Sequence, residues 1–218
     1  MSIINRELLK KSLELYLVTD RHWQNGETLE EQVEQAILGG VTLVQLREKD
    51  LSYDEFLKSA LSLKKITDKY NIPLIINDNV QIAKECDAYG VHIGQSDGSV
   101  SSARQILGKN KIIGVSAKTV ETAQLAELEG ADYIGCGAVF PTSSKADVSV
   151  ITHKQLRAVC DSVSIPVVAI GGISKARVLE LKGNNIYGIA VISAILAEKD
   201  KRFSASELKK LTKELVKQ

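Results

Sequence analysis

Short β-branched runs alternate with longer amphipathic segments along the whole chain, and this alternation restricts the fold more than any other feature of the sequence. Each short run has the length and composition of a buried strand. There are eight of them, at residues 13–19, 42–47, 73–77, 90–94, 111–116, 132–137, 166–171 and 187–192. The order strand, helix, strand indicates parallel pairing, because parallel strands need a long crossover connection.

The segments between the strands carry the signals of helix ends. Thr28 followed by Glu31, and Ser52 followed by Glu55, are capping boxes, and the first of these helices should end at Gly39 and Gly40. Weaker helices are predicted after Asn79, Ser99, Thr119, Thr152 and Ser174, and a clear one over residues 204–218.

Eight strands, each followed by a helix, in 218 residues predict an α/β fold of the TIM (β/α)8 barrel type. The alternative is a doubly wound open sheet. The count of eight and the lack of a GxGxxG motif after the first strand favour the barrel. No linker-like stretch interrupts the pattern, so residues 1–218 are expected to form a single domain.

The charge balance excludes some classes of partner. Lys and Arg number 28 and Asp and Glu 27, a formal charge of +1, so nothing global favours nucleic acid or a membrane surface. Charged residues interrupt any N-terminal apolar run that could form a signal peptide or membrane helix. Three unpaired cysteines fit a reducing compartment, and we expect a cytoplasmic protein with small-molecule ligands. A homo-oligomer is compatible with the sequence, which does not determine the oligomeric state.

The second predicted strand ends in a row of polar side chains. Because side chains two apart on a strand point the same way, Leu43 shares a face with Gln45, Arg47 and Lys49, while Val44 and Leu46 face the helices. The charged row is therefore expected inside the barrel, at its mouth. Buried charges need a carboxylate, water or an anion.

Two explanations account for that row. It either binds an anionic ligand or forms purely structural ion pairs with carboxylates such as Asp20 or Asp78. The first is favoured because the carboxyl ends of barrel strands carry active sites.

Two aspartates follow neighbouring strands. Asp78 comes after the third strand and Asp97 follows the fourth, so their carboxylates could reach one ion. Few carboxylate oxygens together with substrate phosphates are what Mg²⁺ prefers. The alternative is that they cap the helices that follow.

The last three strands are followed by phosphate-binding features. Thr142, Ser143 and Ser144 offer three hydroxyl groups beside Lys145, downstream of Gly135 and Gly137, where side chains would crowd a ligand. The glycines Gly171 and Gly172, with Ile192 and Ser193 at a later helix start, resemble the barrel phosphate site built from the last two strands.

Other chemistries have weaker support. The three histidines do not stand at zinc-ligand spacing, and His92, on a strand, is interpreted as a core histidine with its hydrogen bonds satisfied. No GxSxG elbow or Walker loop is present.

Eight motifs together resemble those of the thiamine phosphate synthase family. They are YLVTD, QLREKD, IINDN, GVHIGQSD, IIGVSAKT, GADYIGCGAVFPTSSK, VVAIGGI and VISAI, in this order, from about residue 15 to about residue 196. The resemblance implies a TIM barrel that condenses hydroxymethylpyrimidine diphosphate with hydroxyethylthiazole phosphate, or its carboxylated form, to thiamine phosphate and pyrophosphate, with Mg²⁺.

The resemblance also implies roles for individual residues. Those implied to bind the pyrimidine diphosphate are Gln45, Leu46, Arg47, Glu48, Lys49, Asn77, Ser116 and Lys145. Those implied to bind the thiazole phosphate are Thr142, Ser143, Ser144, Gly172, Ile192 and Ser193. Asp78 and Asp97 would hold the magnesium, and the catalytic groups would be Arg47, Lys49, Ser116 and Lys145.

Two departures from the family pattern bear on the alternatives. Ser144 stands where many relatives have threonine, and Lys118 where a histidine is common. A related subgroup isomerises a thiazole carboxylate phosphate with a histidine in that region, so a tautomerase is the weaker hypothesis. A non-catalytic barrel that binds phosphorylated ligands is weaker still, because neither the aspartates nor the basic row is lost.

Overall fold

The computed structural model describes residues 6–142 and 149–216, and these form a closed barrel of eight parallel strands. The strands are β1 (Leu15–Val18), β2 (Leu43–Leu46), β3 (Leu74–Asn77), β4 (Gly90–Ile93), β5 (Ile112–Ser116), β6 (Tyr133–Gly137), β7 (Val167–Ile170) and β8 (Gly188–Val191). Each pairs with its neighbour in the sequence, and β1 pairs with β8. The barrel prediction is confirmed, and the open sheet is excluded.

Helices surround the strands. They are α1 (Arg6–Ser12), α2 (Leu29–Leu38), α3 (Tyr53–Lys69), α4 (Val80–Glu85), α5 (Val100–Leu107), α6 (Val120–Leu128), α7 (His153–Ser162), α8 (Ser193–Leu196) and α9 (Lys201–Lys213). Short 3₁₀ helices lie at Arg21–Trp23 and Val178–Leu181. Within the described ranges, no helix is both long enough and apolar enough to cross a membrane.

Most predicted helix starts are confirmed by their caps. The capping boxes at Thr28 and Ser52 form, and Asn79, Ser99 and Thr152 accept hydrogen bonds from the first turns of α4, α5 and α7. These side chains satisfy backbone N–H groups that have no partner inside the helix.

One helix prediction needs correction, and one helix was not predicted. The segment after Ser174 forms only the 3₁₀ helix Val178–Leu181, because Gly183 and Asn185 adopt positive φ values of 86° and 58° and turn the chain into β8. Helix α1 was not predicted, because four of its seven residues are charged and the remaining apolar residues are too few to form a helical pattern.

The strands separate two apolar layers. Val44 and Leu46 belong to the large outer core between strands and helices, whereas Leu43 belongs to an inner core inside the barrel. The inward and outward assignment for β2 is therefore confirmed. Leu9 of α1 and Leu13 also belong to the inner core and are at most 2% exposed, so this segment closes the N-terminal end of the barrel.

Candidate active site

A cavity of about 580 Å³ opens among the carboxyl ends of the strands. It contains polar and charged residues from the ends of β2 to β5 and glycines from β6 and the loop after β7. The predicted site residues in its wall are Lys49, Asn77, Asp78, Asp97, Ser116, Thr142, Gly172, Ile192 and Ser193. These residues therefore lie at the end of the barrel where active sites of this fold are found.

On one side of the cavity, a lysine and two aspartates come together. The Lys49 Nζ atom donates to Asp78 Oδ2 at 2.8 Å, and Asp97 Oδ2 accepts from the Gly94 N–H at 2.8 Å. Burial raises the pKa of the Asp78 carboxyl, Lys49 lowers it, and the nearby Asp97 carboxylate raises it again. The two carboxylates therefore interact directly, and neither caps a helix, since Asn79 and Ser99 do so.

Arg47 is the first residue after β2, two residues before Lys49, and it is not among the residues that line the cavity. Its main-chain N–H donates to Thr19 Oγ1 at 3.0 Å, and its Nη1 lies 3.5 Å from Asp20 Oδ2. The side chain is 14% exposed, and within the described part of the chain its buried Nε finds no hydrogen-bond acceptor. Both structural ion pairs named as the alternative do form, yet the Arg47 guanidinium keeps a donor that they leave unused.

The side chains of Leu46 and Glu48 point away from this row. Leu46 is fully buried in the outer core, which leaves its main chain for any contact with a ligand. The Glu48 carboxylate is 3% exposed, and its two oxygens share the Arg21 Nε–H in a bifurcated hydrogen bond, each at 2.9 Å. Ser59 of α3 joins the same pair, so Glu48 fixes the loop that carries its two basic neighbours.

Ser116 lies at the end of β5, in the cavity wall. Its hydroxyl is 2.9 Å from His92 Nε2, and the Gln95 amide donates to its carbonyl at 2.7 Å. His92 is 9% exposed and its Nδ1 is 2.9 Å from Tyr133 Oη, so its interpretation as a satisfied histidine is confirmed. The sequence did not indicate that His92 would also line the cavity.

The opposite side of the cavity is built from glycine backbone. Gly171 and Gly172 have φ values of 100° and 64°, and a Cβ on Gly172 would lie 2.4 Å from the Pro141 carbonyl oxygen. Ile192 and Ser193 line the same side at the start of α8. Ser143, Ser144 and Lys145 lie outside the described residues.

The glycines of β6 have a different role from the one expected. A Cβ on Gly137 would lie 1.9 Å from the Ile170 carbonyl oxygen, and one on Gly135 would lie 3.0 Å from His92 Cε1. Both glycines are in the cavity wall, but the first obstacle to a side chain is protein rather than ligand.

Metal ligands are few in the residues that the structure describes. No group of three or more His, Cys, Asp or Glu side chains there could hold an ion. The Asp78 and Asp97 pair is too small to be a zinc site and matches the few carboxylates that Mg²⁺ takes in phosphate-binding sites. Lys118, which replaces the common histidine, also lines the cavity, and its Nζ is 3.5 Å from Ser149 Oγ.

Comparison with known proteins decides the family. The family profile described as thiamine monophosphate synthase matches residues 15–195. The chain belongs to the thiamine monophosphate synthase family. This membership confirms the resemblance read from the motifs and, with it, the prediction of an enzyme that forms thiamine phosphate.

Individual relatives agree with the profile. A thiamine-phosphate synthase from Clostridium botulinum is 53% identical over 195 residues, 89% of this chain and 92% of the relative. One from Clostridium tetani is 53% identical over 194 residues, 89% and 93% of the two chains. The solved thiamine phosphate pyrophosphorylase from Pyrococcus furiosus has a TM-score of 0.89 and 39% identity, and covers 96% of this chain and 100% of its own.

Proposed function

We propose that this enzyme joins hydroxymethylpyrimidine diphosphate to hydroxyethylthiazole phosphate and releases pyrophosphate. The observation that carries the proposal is the contact of Asp78 with both Lys49 and Asp97 at the mouth of a barrel of this family. Cations and paired carboxylates suit a ligand with several phosphate charges. The Ser116 and His92 pair in the cavity wall is oriented by the Tyr133 hydroxyl and not by the carboxylate of a Ser-His-Asp triad.

The diphosphate is assigned to the β2 to β5 side. Lys49, Asn77 and Ser116 line the cavity and supply one positive charge and two neutral donors. Arg47 precedes Lys49 by two residues and adds a second positive charge, and its buried Nε has no acceptor within the described residues. Arg suits this role because its guanidinium can bind phosphate oxygens through two parallel hydrogen bonds. Gln45 and Lys145 complete the proposed set, the latter from outside the described residues.

Asp78 and Asp97 are assigned to Mg²⁺. The fit rests on the contact between the two carboxylates, because two adjacent anionic oxygens favour a cation between them. Burial raises the pKa of the Asp78 carboxyl most, and the Asp97 carboxylate raises it further. Bound there, the ion would neutralise charge on the phosphates and ease departure of pyrophosphate. Lys49 forms an ion pair with Asp78 and is proposed to contact the diphosphate as well.

The thiazole phosphate is assigned to the β6 to β8 side. Gly172, Ile192, Ser193 and Thr142 line that part of the cavity, and Ser143 and Ser144 follow directly in the sequence. A glycine backbone allows a phosphate to approach main-chain N–H groups closely, as in other barrel phosphate sites.

The reaction is proposed to begin with loss of pyrophosphate. The bond between the pyrimidine methylene carbon and the diphosphate oxygen breaks, and its electron pair leaves with pyrophosphate. The thiazole nitrogen then supplies the electron pair of the new carbon–nitrogen bond to the resulting carbocation. Such a reaction depends on stabilising the leaving group and holding the two partners close, and Arg47, Lys49 and Lys145 are proposed to do the first.

Incubation of the purified protein with both phosphorylated precursors and Mg²⁺ tests this function. Thiamine phosphate and pyrophosphate should form in equal amounts and should not form after chelation of the metal. Isomerisation of a thiazole carboxylate phosphate without condensation would favour the tautomerase instead. Absence of both products would refute an enzyme of this pathway.

We also propose that the enzyme works in the reducing cytoplasm. Cys86 and Cys136 are buried and Cys160 is partly buried, and all three are free thiols. Burial raises the pKa of Cys136 and of Cys160 to about 12, so these thiols behave as small apolar groups rather than nucleophiles. Identical activity with and without a reducing agent would support the interpretation of these thiols as inert apolar groups.

A further inference from the structure

A continuous chain of polar side chains crosses the inside of the barrel and ends at the cavity. The Gln45 Nε2 atom donates to Tyr16 Oη at 2.5 Å, and Tyr16 Oη is 2.9 Å from Tyr133 Oη. Tyr133 Oη is 2.9 Å from His92 Nδ1, and His92 Nε2 is 2.9 Å from Ser116 Oγ. The chain of hydrogen bonds thereby joins β2 to its neighbour β1, β1 to β6 and β6 to β4 across the inside of the barrel, and β4 to its neighbour β5.

The middle of this chain is buried in the inner core. Tyr16 is 2% exposed and Tyr133 is fully buried, among residues such as Leu43, Ile75 and Val168. Burial raises the pKa of both phenols, so both stay protonated and each carries one hydrogen to donate. A phenylalanine would fill the same space without needing partners, so filling the core does not by itself explain two phenols here.

Glycines on neighbouring strands fix the two rings next to Ser116. A Cβ on Gly114 would lie 2.1 Å from Tyr133 Cζ, and one on Gly135 would lie 3.0 Å from His92 Cε1. The rings therefore occupy space that any side chain at those positions would fill. The Tyr133 and His92 ring centroids are 5.4 Å apart.

The direction of the hydrogen bonds follows from the first donor. Because the Gln45 amide donates to Tyr16, the Tyr16 hydrogen is directed to Tyr133, and the Tyr133 hydrogen to His92 Nδ1. A neutral imidazole that accepts at Nδ1 carries its hydrogen on Nε2 and donates it to Ser116 Oγ. The Ser116 hydroxyl hydrogen is then directed away from His92 and available to the cavity.

We propose that Tyr16, Tyr133 and His92 are positioning residues that hold the Ser116 hydroxyl as a hydrogen-bond donor to the diphosphate substrate. The expected effect on kcat rests on the function proposed above, in which Ser116 contacts the diphosphate. If the hydrogen bonds of this chain ran in the opposite direction, Ser116 would donate to His92 and present an oxygen lone pair to an anion. A donor gains strength as negative charge develops on the leaving group, whereas a lone pair repels it.

Nitrogen-15 NMR of the histidine rings tests the direction without any substrate. The chain has three histidines, so the variants His22→Gln and His153→Gln assign the signals of His92. At neutral pH, His92 should show a protonated Nε2 and an unprotonated Nδ1. A ring protonated at Nδ1, alone or together with Nε2, would overturn the proposal whether or not the protein condenses the two precursors.

Kinetics of Tyr133→Phe test the consequence. The variant keeps the ring that packs against Gly114 but cannot donate to Nδ1, so kcat for condensation should fall about ten-fold, the effect of one hydrogen bond to a charged group. The KM for thiazole phosphate should not change. Ser116→Ala should then cost much less in the Tyr133→Phe background than in the wild type, and additive losses would overturn the proposal.

Tyr89→Phe is the matched control. Tyr89 packs against the same inner core but lies outside the chain of hydrogen bonds described here. It should leave both the His92 tautomer and kcat unchanged. If Tyr89→Phe lowered kcat as much as Tyr133→Phe, the effect would come from core packing and the positioning role would be refuted.

Discussion

The two sides of the cavity would hold their phosphates by different means. On the β2 to β5 side, the charged side chains of Lys49, Asp78 and Asp97 come together, and Lys49 partly neutralises Asp78. On the β6 to β8 side, the main chain of Gly171 and Gly172 forms the surface of the cavity instead. One side is defined by charge and the other by shape.

This difference matches the fates of the two ligands. A phosphate that leaves during the reaction gains negative charge at its bridging oxygen. Basic side chains and a bound metal ion can stabilise that added charge. A phosphate that stays on its substrate needs only a rigid binding site, which the main chain of a loop can provide. Substitutions on the first side should therefore affect turnover, and those on the second should affect binding.

Arg47→Ala should have the largest effect. Loss of a charged donor to the leaving group is expected to lower kcat by about 10²–10³-fold, with little change in the affinity for thiazole phosphate. Steady-state kinetics with each substrate varied would measure both quantities. Arg157→Ala, on the outer helix α7, is the control and should be neutral. Equal losses for the two substrates would contradict the division of the cavity.

Asp97→Asn should come next. The asparagine oxygen can still accept from the Gly94 N–H, so the loop should keep its structure while one negative charge is lost. The Mg²⁺ concentration for half-maximal turnover should rise by about 10–100-fold. A titration of activity with Mg²⁺ measures it, with the exposed Asp87→Asn as control. Unchanged metal dependence would remove Asp97 from the site.

Gly172→Ala tests the backbone side. The new Cβ would meet the Pro141 and Phe140 carbonyl oxygens at 2.4 and 2.7 Å, so the loop must move. We expect the KM for thiazole phosphate to rise about ten-fold, the cost of a lost main-chain hydrogen bond or two, and the KM for the diphosphate to stay constant.

Gly183→Ala provides a matched control for that substitution. Gly183 has a φ of 86°, also in the left-handed region, but its Cβ would meet nothing within 4 Å. It should lose some stability, measured by thermal unfolding, and keep both KM values. If both alanine variants raised the KM for thiazole phosphate equally, backbone strain rather than the cavity wall would be responsible.

Ser193→Ala should have the smallest effect. One neutral hydroxyl contact with the thiazole phosphate corresponds to about a five-fold rise in its KM. Ser101→Ala, on the exposed face of α5, is the control. A fall in kcat at constant KM would indicate that Ser193 acts on the reacting groups, and would contradict the assignment of turnover to one side and binding to the other.

Much of the fold was predictable because local signals agreed with the overall architecture. All eight strands were predicted within two residues at each end, since buried parallel strands read as continuous β-branched runs. Caps such as Thr28 and Ser52 marked helix starts by direct side-chain bonds. Helix α1 was missed because its inward residues, such as Leu9, are too few to form a periodic pattern.

The site was predictable where polar residues interrupt apolar strand ends. Lys49 and Asp78 stood out for that reason and do meet. Tyr16 and Tyr133 did not stand out, because an inward aromatic residue on a strand reads as core and its hydroxyl partner lies on a distant strand. Glycines within β5 and β6 were the available signal, since a glycine in a strand often faces a bulky neighbour.

The close fit between Gly114 and Tyr133, and between Gly135 and His92, limits how this barrel can change over time. An alanine at Gly114 is compatible with the fold only if the Tyr133 side chain becomes smaller, and a smaller side chain breaks the path to Ser116. An alanine at Gly135 would require the His92 ring, which contacts Ser116, to move by a few tenths of an ångström. Gly114 and Tyr133 should therefore be replaced together or not at all. Among related chains, paired substitution at these positions would mark enzymes in which the serine is oriented by a different route.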